Sequence, residues 1–404
     1  MISTAMRPPL PMAACPRCTT NRGDAAVGLS NLRQYVDYLR TPLAQRRLLV
    51  YSEGAGSWPH LGPVVQALLD RGDQPLSYVS SSAADPGIAI RHPQLRGFVI
   101  GDRLTRTLFF SNLKADVVLM TMPDLNTFHI KRSPQVGNYV YLHHSLVSSH
   151  MIYRPGAFDH FDTIFCAGPH HVAEMRAIET QRGQRQKVLV EHGYGRLDTL
   201  LSTASTLAPG KVRPTVLIAP SWGPQGLLER HADQLLSALA DTAWNVIVRP
   251  HPQTVRMAPE AMAQIRHWCA MSGNISLELS VVGHDSLQRA DVMVSDWSGA
   301  ALEFAFGFQR PVLFIDTPRK INNPDYEQID LLPLEVGLRQ QIGQVLPPDS
   351  LSDITTWLGA LNEQRHAYRE TIAQARTHSV YHLGSSGPVA AEWLFGQLKK
   401  KPAG

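Results

Sequence analysis

The sequence predicts an α/β protein built from two Rossmann-like domains that face each other across a cleft. Three observations carry this. At 404 residues the chain exceeds the roughly 250–300 residues that one core usually serves. Short apolar, β-branched runs alternate with amphipathic segments in two successive series, the pattern of parallel strands covered by helices. Between the series lies "LSTASTLAPGKVRP", a polar stretch rich in Ser, Thr and Pro of the kind that links domains.

In chain order, residues 1–28 are rich in Pro, Ala and Thr and read as a loose extension, with order beginning at the helix around "LSNLRQYVDYLRTPL". The first domain, 29–205, contains "RLLVYSEG", a helix through "LGPVVQALLDRG", then "PLSYVSS", "GFVIG", "ADVVLMTMPDL", "NYVYLHHSL", "FDTIFCAG" and "KVLVEHGYGRLDTL". The second, 206–380, runs through "TVLIAPSW", a helix at "ERHADQLLSALADT", "WNVIVRPHP", a helix at "APEAMAQIRHWCAMSG", "ISLELS", "ADVMVSDWSG", a helix at "AALEFAFGF" and "PVLFIDT". Residues 381–404 form a last helix and tail, with Pro388 at a suitable first helical position.

Composition narrows the function. Hydrophobic residues at 44% and charged residues at 18% suffice for a packed core without disulfides or metals. The net charge of +4 suits anionic substrates or an anionic membrane surface, while no basic block interleaved with aromatics points to nucleic acid. The four cysteines, at 15, 18, 166 and 269, are too scattered for a disulfide framework, so a reducing cytoplasmic setting is expected. Cys15 and Cys18 have metal or redox spacing, but no second pair accompanies them. No apolar run reaches the roughly 18–20 residues that span a bilayer, and no signal-peptide core is visible.

In open α/β sheets ligands bind beyond the carboxyl ends of the strands, so the residues just after each strand become candidates. "NYVYL" runs into His143 and His144; such a pair can cap a turn or carry chemistry, and His150 nearby adds a metal-binding alternative that lacks a carboxylate or cysteine partner. "VIVRPHP" ends in Arg249 and His251 separated by prolines, which stop the strand and hold His251 extended. Arg249 offers a bidentate contact to phosphate. "VMVSDWSGAALEF" places Ser295, Asp296, Ser298 and Gly299 before a helix whose first N–H groups can hold an anion. A negative Asp296 would be unfavourable beside phosphate, so it is expected to turn aside as a cap or to orient a cationic or imidazole group. Glu303 is placed to reach a ribose hydroxyl. Ser221 in "APSW" can donate to phosphate, and "HGYGRLDTL" contributes Gly193, Arg196 and Asp198.

Taken together and in this order, "HSLVS", "GYGRLDTL", "LIAPSW", "VRPHP" and "SDWSGAALEFAFGFQRPVLFID" resemble the CDP-glycerol glycerophosphotransferase family of teichoic-acid type polymerases and primases, over roughly residues 115–320. The resemblance implies a GT-B fold and transfer of a polyol phosphate from a CDP-activated donor to a hydroxyl of a glycan or lipid-linked acceptor, with neither metal nor cofactor. It also implies peripheral contact with the inner face of the plasma membrane. The family's essential histidines, one per domain, map onto His144 and His251, with His143 the alternative to His144. His144 would deprotonate the acceptor hydroxyl, and His251, backed by Arg249, would support the departing CMP. The lysine of the family's segment after the first histidine is missing from "HSLVSS", and the family's C-terminal Gly…Ser-x-Arg is blurred in "LGSSGPVAAEW". A different donor group follows as the alternative: a nucleotide-sugar glycosyltransferase, or a UDP-GlcNAc 2-epimerase-like enzyme with carboxylate acid/base groups.

Overall fold

The computed structural model describes residues 22–72, 74–127, 130–204, 213–280 and 283–399. Seven parallel strands form the first sheet: β1 Leu48–Ser52, β2 Leu76–Ser80, β3 Leu95–Val99, β4 Ala115–Met120, β5 Val136–Leu142, β6 Thr163–Cys166 and β7 Val188–Glu191, in the order β3-β2-β1-β4-β5-β6-β7. Six form the second: β8 Thr215–Ile218, β9 Asn245–Val248, β10 Ile275–Leu277, β11 Val292–Ser295, β12 Val312–Ile315 and β13 Gly343–Leu346, in the order β10-β9-β8-β11-β12-β13. Strand order reverses between β1 and β4 and again between β8 and β11, which leaves a crevice at each switch point.

The central strands are largely apolar because helices cover both faces. In β9, Val246, Ile247 and Val248 are all buried, as are all four residues of β11. Fully burying one such aliphatic side chain stabilises the fold by roughly 1.5–3 kcal/mol. The helix Gly299–Phe308 is buried on nearly every side and packs on the helix Gly195–Ala204, with Leu200 against Gly307. The two halves are thereby wedged together behind the cleft. The C-terminal helix Ser386–Lys399 returns to the first sheet, where Ala390, Leu394 and Phe395 pack with Val64, Val65 and Leu68 of the helix Trp58–Arg71.

Three boundaries differ from the sequence expectation. The first helix starts at Arg22, inside the stretch assigned to the extension; Gly23 and Gly28 cost about 1 kcal/mol each and do not stop a helix there. Pro388 is the third residue of its helix, which begins at Ser386. The helix Gly195–Ala204 runs into the linker, of which 205–212 lie outside the described residues, as do Cys15 and Cys18.

Candidate active site

The carboxyl ends of both sheets open onto one cleft of about 820 Å³. His144, Arg196, Ser221, Arg249, His251, Ser298, Gly299 and Glu303 all line it.

From the first domain, β5 ends at Leu142, and strand alternation sends His143 and His144 to opposite sides. His143 is the buried one: its Nδ1–H donates to the Phe165 carbonyl (3.0 Å), its Nε2 accepts from Ser149 (3.0 Å), and its ring stacks on His171 at 3.7 Å. It does not line the cleft, so the cleft-facing imidazole is His144. The His144 Nδ1 lies 3.1 Å from the Tyr141 hydroxyl, which gives its own proton to Tyr153. In that arrangement Nδ1 carries the hydrogen and Nε2 is left as the acceptor. Burial pushes His144 down to about 4, against the opposing pull of the Thr121 carbonyl and Glu303.

From the second domain, the prolines end β9 and make His251 the N-cap of the helix Pro252–Met257. Its Nδ1 accepts the Gln253 N–H at 3.1 Å, so the hydrogen of the neutral ring sits on Nε2. Burial, and then the Lys320 ammonium, pushes His251 down to about 4. The ring stacks on Trp222 (5.9 Å), over which Lys320 also lies (4.4 Å). Arg249 is buried beside Ser286 (3.3 Å), with Glu278 at 4.0 Å.

Glu303 occupies a role other than the one expected of it. Its carboxylate accepts from the Arg196 Nε (2.6 Å) and the Tyr194 hydroxyl (2.7 Å), a buried tie across the two domains. A ribose contact would have to use lone pairs left over from these bonds. Ser298 caps the helix Gly299–Phe308, accepting from the Ala300 N–H at 3.3 Å, which leaves its own O–H to donate into the cleft.

Four further candidates lie outside the cleft. The Ser295 hydroxyl is fully buried and donates to the Ala219 carbonyl (2.9 Å), so it offers nothing to a phosphate. Asp296 does turn aside, but it caps the helix Leu227–Leu239 of the neighbouring crossover, accepting from the N–H groups of Leu227 (3.3 Å) and Ser221 (2.7 Å). Gly193, at φ +96°, holds the turn where a Cβ would come within 2.5 Å of the Tyr381 carbonyl. Asp198 accepts from the N–H groups of Gly384 (2.7 Å) and Ser386 (2.9 Å), fastening the C-terminal helix. Asp296→Ala strands two buried donors, and each is expected to cost about 1–3 kcal/mol of stability in urea unfolding. Asp296→Asn, which keeps an acceptor oxygen, is expected to recover part of that.

Several cleft residues were not singled out from the sequence: His60, Tyr153, Arg154, Trp222 and Lys320. His60 stands in the first turn of the helix after β1, with its ring 6.0 Å from His144 and 5.5 Å from Tyr194 and its Nδ1 buried without a partner among the described residues. Burial, His144 and Arg196 hold it neutral, well below the ordinary histidine range. Position after a strand's carboxyl end would have found both His60 and Lys320. Among the described residues no group of three or more His, Cys, Asp or Glu side chains is arranged to hold a metal ion.

The architecture is that of a GT-B protein. The UDP-GlcNAc 2-epimerase from Neisseria meningitidis, solved bound to UDP-GlcNAc, superposes with a TM-score of 0.58 at 12% identity, over 88% of this chain and 100% of its own. A putative UDP-N-acetylglucosamine 2-epimerase from Listeria monocytogenes gives 0.56 at 13%, over 88% and 96%. Anabaena Alr3699/HepE, in complex with UDP and glucose, gives 0.51 at 12%, over 87% and 100%. No family model matches the chain, and no curated protein does. At these identities the likeness establishes the fold, and function has to be argued from the cleft.

Proposed function

We propose that the protein is a transferase that moves a group from a nucleoside-diphosphate-activated donor to an acceptor hydroxyl, with a nucleotide sugar as the donor class supported best. The observation that carries the reading is the pair of neutral imidazoles, one from each domain, on opposite walls of one cleft. His144 presents a bare Nε2 and His251 an Nε2–H. GT-B neighbours holding UDP or UDP-GlcNAc support the donor class.

In this reading the His144 Nε2 takes the acceptor's hydroxyl proton while the oxygen bonds to the anomeric carbon. The bond from that carbon to the diphosphate oxygen breaks, and the nucleoside diphosphate leaves with the electron pair. Charge developing on its oxygens meets the His251 Nε2–H, Arg249, Lys320 and the N–H groups that open the helix Gly299–Phe308. His144 at about 4 is a weak base in the empty cleft. A bound diphosphate's negative charge raises it toward the working pH.

Epimerisation is supported less well, because both carboxylates of the cleft are already engaged: Asp124 with Arg154 at 2.8 Å and Glu303 with Arg196. Transfer of a polyol phosphate from a CDP donor is the second reading. It is favoured by the "VRPHP" and "SDWSG" motifs and by the same pair of histidines, with the acceptor oxygen then attacking phosphorus and CMP departing.

A donor screen separates these readings by what is released. UDP-sugars, CDP-glycerol and CDP-ribitol are each incubated with the protein and with glycan or polyprenyl-phosphate acceptors. Release of a nucleoside diphosphate is expected; release of CMP would establish the second reading instead. Conversion of UDP-GlcNAc to its 2-epimer, or binding with no turnover of any donor, would overturn both.

A further inference from the structure

His144 ends a short chain of polar groups whose far end is held from the other domain. Its Nδ1 meets the Tyr141 hydroxyl at 3.1 Å, and that hydroxyl meets Tyr153 at 3.1 Å. Both tyrosine rings pack edge-on against Phe158, at 5.0 Å and 4.9 Å. Burial pushes Tyr153 up to about 12 and Tyr141 well above the ordinary tyrosine range, so each phenol keeps its single hydrogen.

Two phenols and a neutral imidazole bring one hydrogen each, so the two bonds of the chain can run in only two orders. With Tyr141 donating to Tyr153, the imidazole hydrogen lies on Nδ1 and Nε2 is bare, which is the order in the structure. With Tyr153 donating instead, Tyr141 gives its hydrogen to Nδ1, and Nε2 carries a hydrogen and can abstract nothing. The Tyr153 oxygen therefore decides the state of His144. Without it, the buried Tyr141 hydroxyl has no acceptor but Nδ1 among the described residues, and a buried donor left unpaired is costly enough to reverse the order.

The placement of Tyr153 comes from the second domain. The three residues before it offer their carbonyls to two consecutive asparagines that follow β12. The Asn323 Nδ2 donates to His150 (2.8 Å), the Asn322 Nδ2 to Ile152 (2.7 Å), and both backbone N–H groups to Met151 (3.2 and 3.1 Å). The backbone that carries Tyr153 is thus fastened across the domain junction, beside a cleft that Tyr153 and Asn322 both line.

We propose that Tyr153 is a positioning residue that sets the tautomer of His144, and that Asn322 and Asn323 hold it in place only while the two domains are docked. The inference rests on the reading of His144 as the base. It makes that base competent in the docked arrangement and idle when the domains part.

Nitrogen NMR of the full chain, labelled at the histidine ring nitrogens, reads which nitrogen of His144 carries the hydrogen. The signal is assigned by its loss in His144→Ala, and no donor is needed. Wild type is expected to show Nδ1–H. Tyr153→Phe keeps the ring against Phe158 and is expected to show Nε2–H, with kcat lowered by about 10² or more and the donor KM unchanged. Asn322 is exposed, so Asn322→Ala should fold as wild type does. It is expected to show a mixture of the two tautomers and to lose about two- to tenfold in kcat, the worth of one neutral hydrogen bond. Retention of Nδ1–H, or of wild-type kcat, in Tyr153→Phe would overturn the assignment. An unchanged tautomer in Asn322→Ala would overturn the part played by the second domain. Tautomers that move as expected in a protein that turns over no donor would support the role of Tyr153 and remove the transferase reading instead.

Discussion

His144→Ala is expected to lower turnover by between about 10² and 10⁴, the range over which a positioned general base acts. That corresponds to roughly 3–5 kcal/mol of transition-state stabilisation. The expectation rests on the geometry of one side chain: with the Tyr141 hydroxyl on Nδ1, the nitrogen proposed to meet the acceptor is Nε2, the one without a hydrogen. Two controls separate this role from a structural one. His143→Ala removes a fully buried imidazole with two hydrogen bonds, so it should lower the melting temperature more than His144→Ala does. Donor affinity measured by calorimetry should persist in His144→Ala, because the residues expected to hold the diphosphate come from the second domain. A His144→Ala protein with near wild-type turnover would remove the base from the proposed mechanism.

The features that were legible in the sequence are those fixed by short-range rules. Alternating apolar runs gave the seven strands of the first sheet and five of the six in the second, missing β13, and the strand-end rule found His144, Arg249, His251 and Ser298, all of which line the cleft. Side-chain direction was harder to read. His143 and His144 must point opposite ways, but parity alone does not say which one meets the cleft. Ser295 falls on the inward phase of the last strand residue and Ser298 on the cap, although both are small hydroxyls in the same motif. Partners distant in the chain were invisible. Asp198 meets Ser386 and Glu303 meets Arg196 only through tertiary packing, so neither pairing could be read from the sequence.

Those buried contacts set the second large expectation, that the protein unfolds steeply as the pH falls from about 6 to about 4.5. Burial pushes His143 down to about 3 and His192 to about 4, in each case against an opposing backbone hydrogen bond, to Phe165 and Gly193 respectively. An unfolded histidine titrates near 6.5. Above that value neither state binds the proton, and the full stability of the fold is present. Between 6.5 and the depressed folded value the unfolded chain binds protons that the folded chain refuses, so stability is lost as the pH drops. At pH 5 each such group costs about 2 kcal/mol, and these two together about 4 kcal/mol. His171 and His170 are shifted in the same direction, His171 by burial and then by His143 and His170, so the total rises further. Against a typical net stability of about 5–15 kcal/mol, that is enough to place an acid transition within this window. Circular dichroism across a pH series should show one cooperative loss involving several protons. Replacing His192 with glutamine, which cannot charge, should move the midpoint down. Loss of kcat/KM on acidification would then follow the fraction unfolded, because in the donor-free protein His144 itself stays neutral until about 4. A fold that persisted unchanged at pH 4 would show that water or local opening relieves these histidines, and that the packing around the β5 and β7 ends is looser than their contacts indicate.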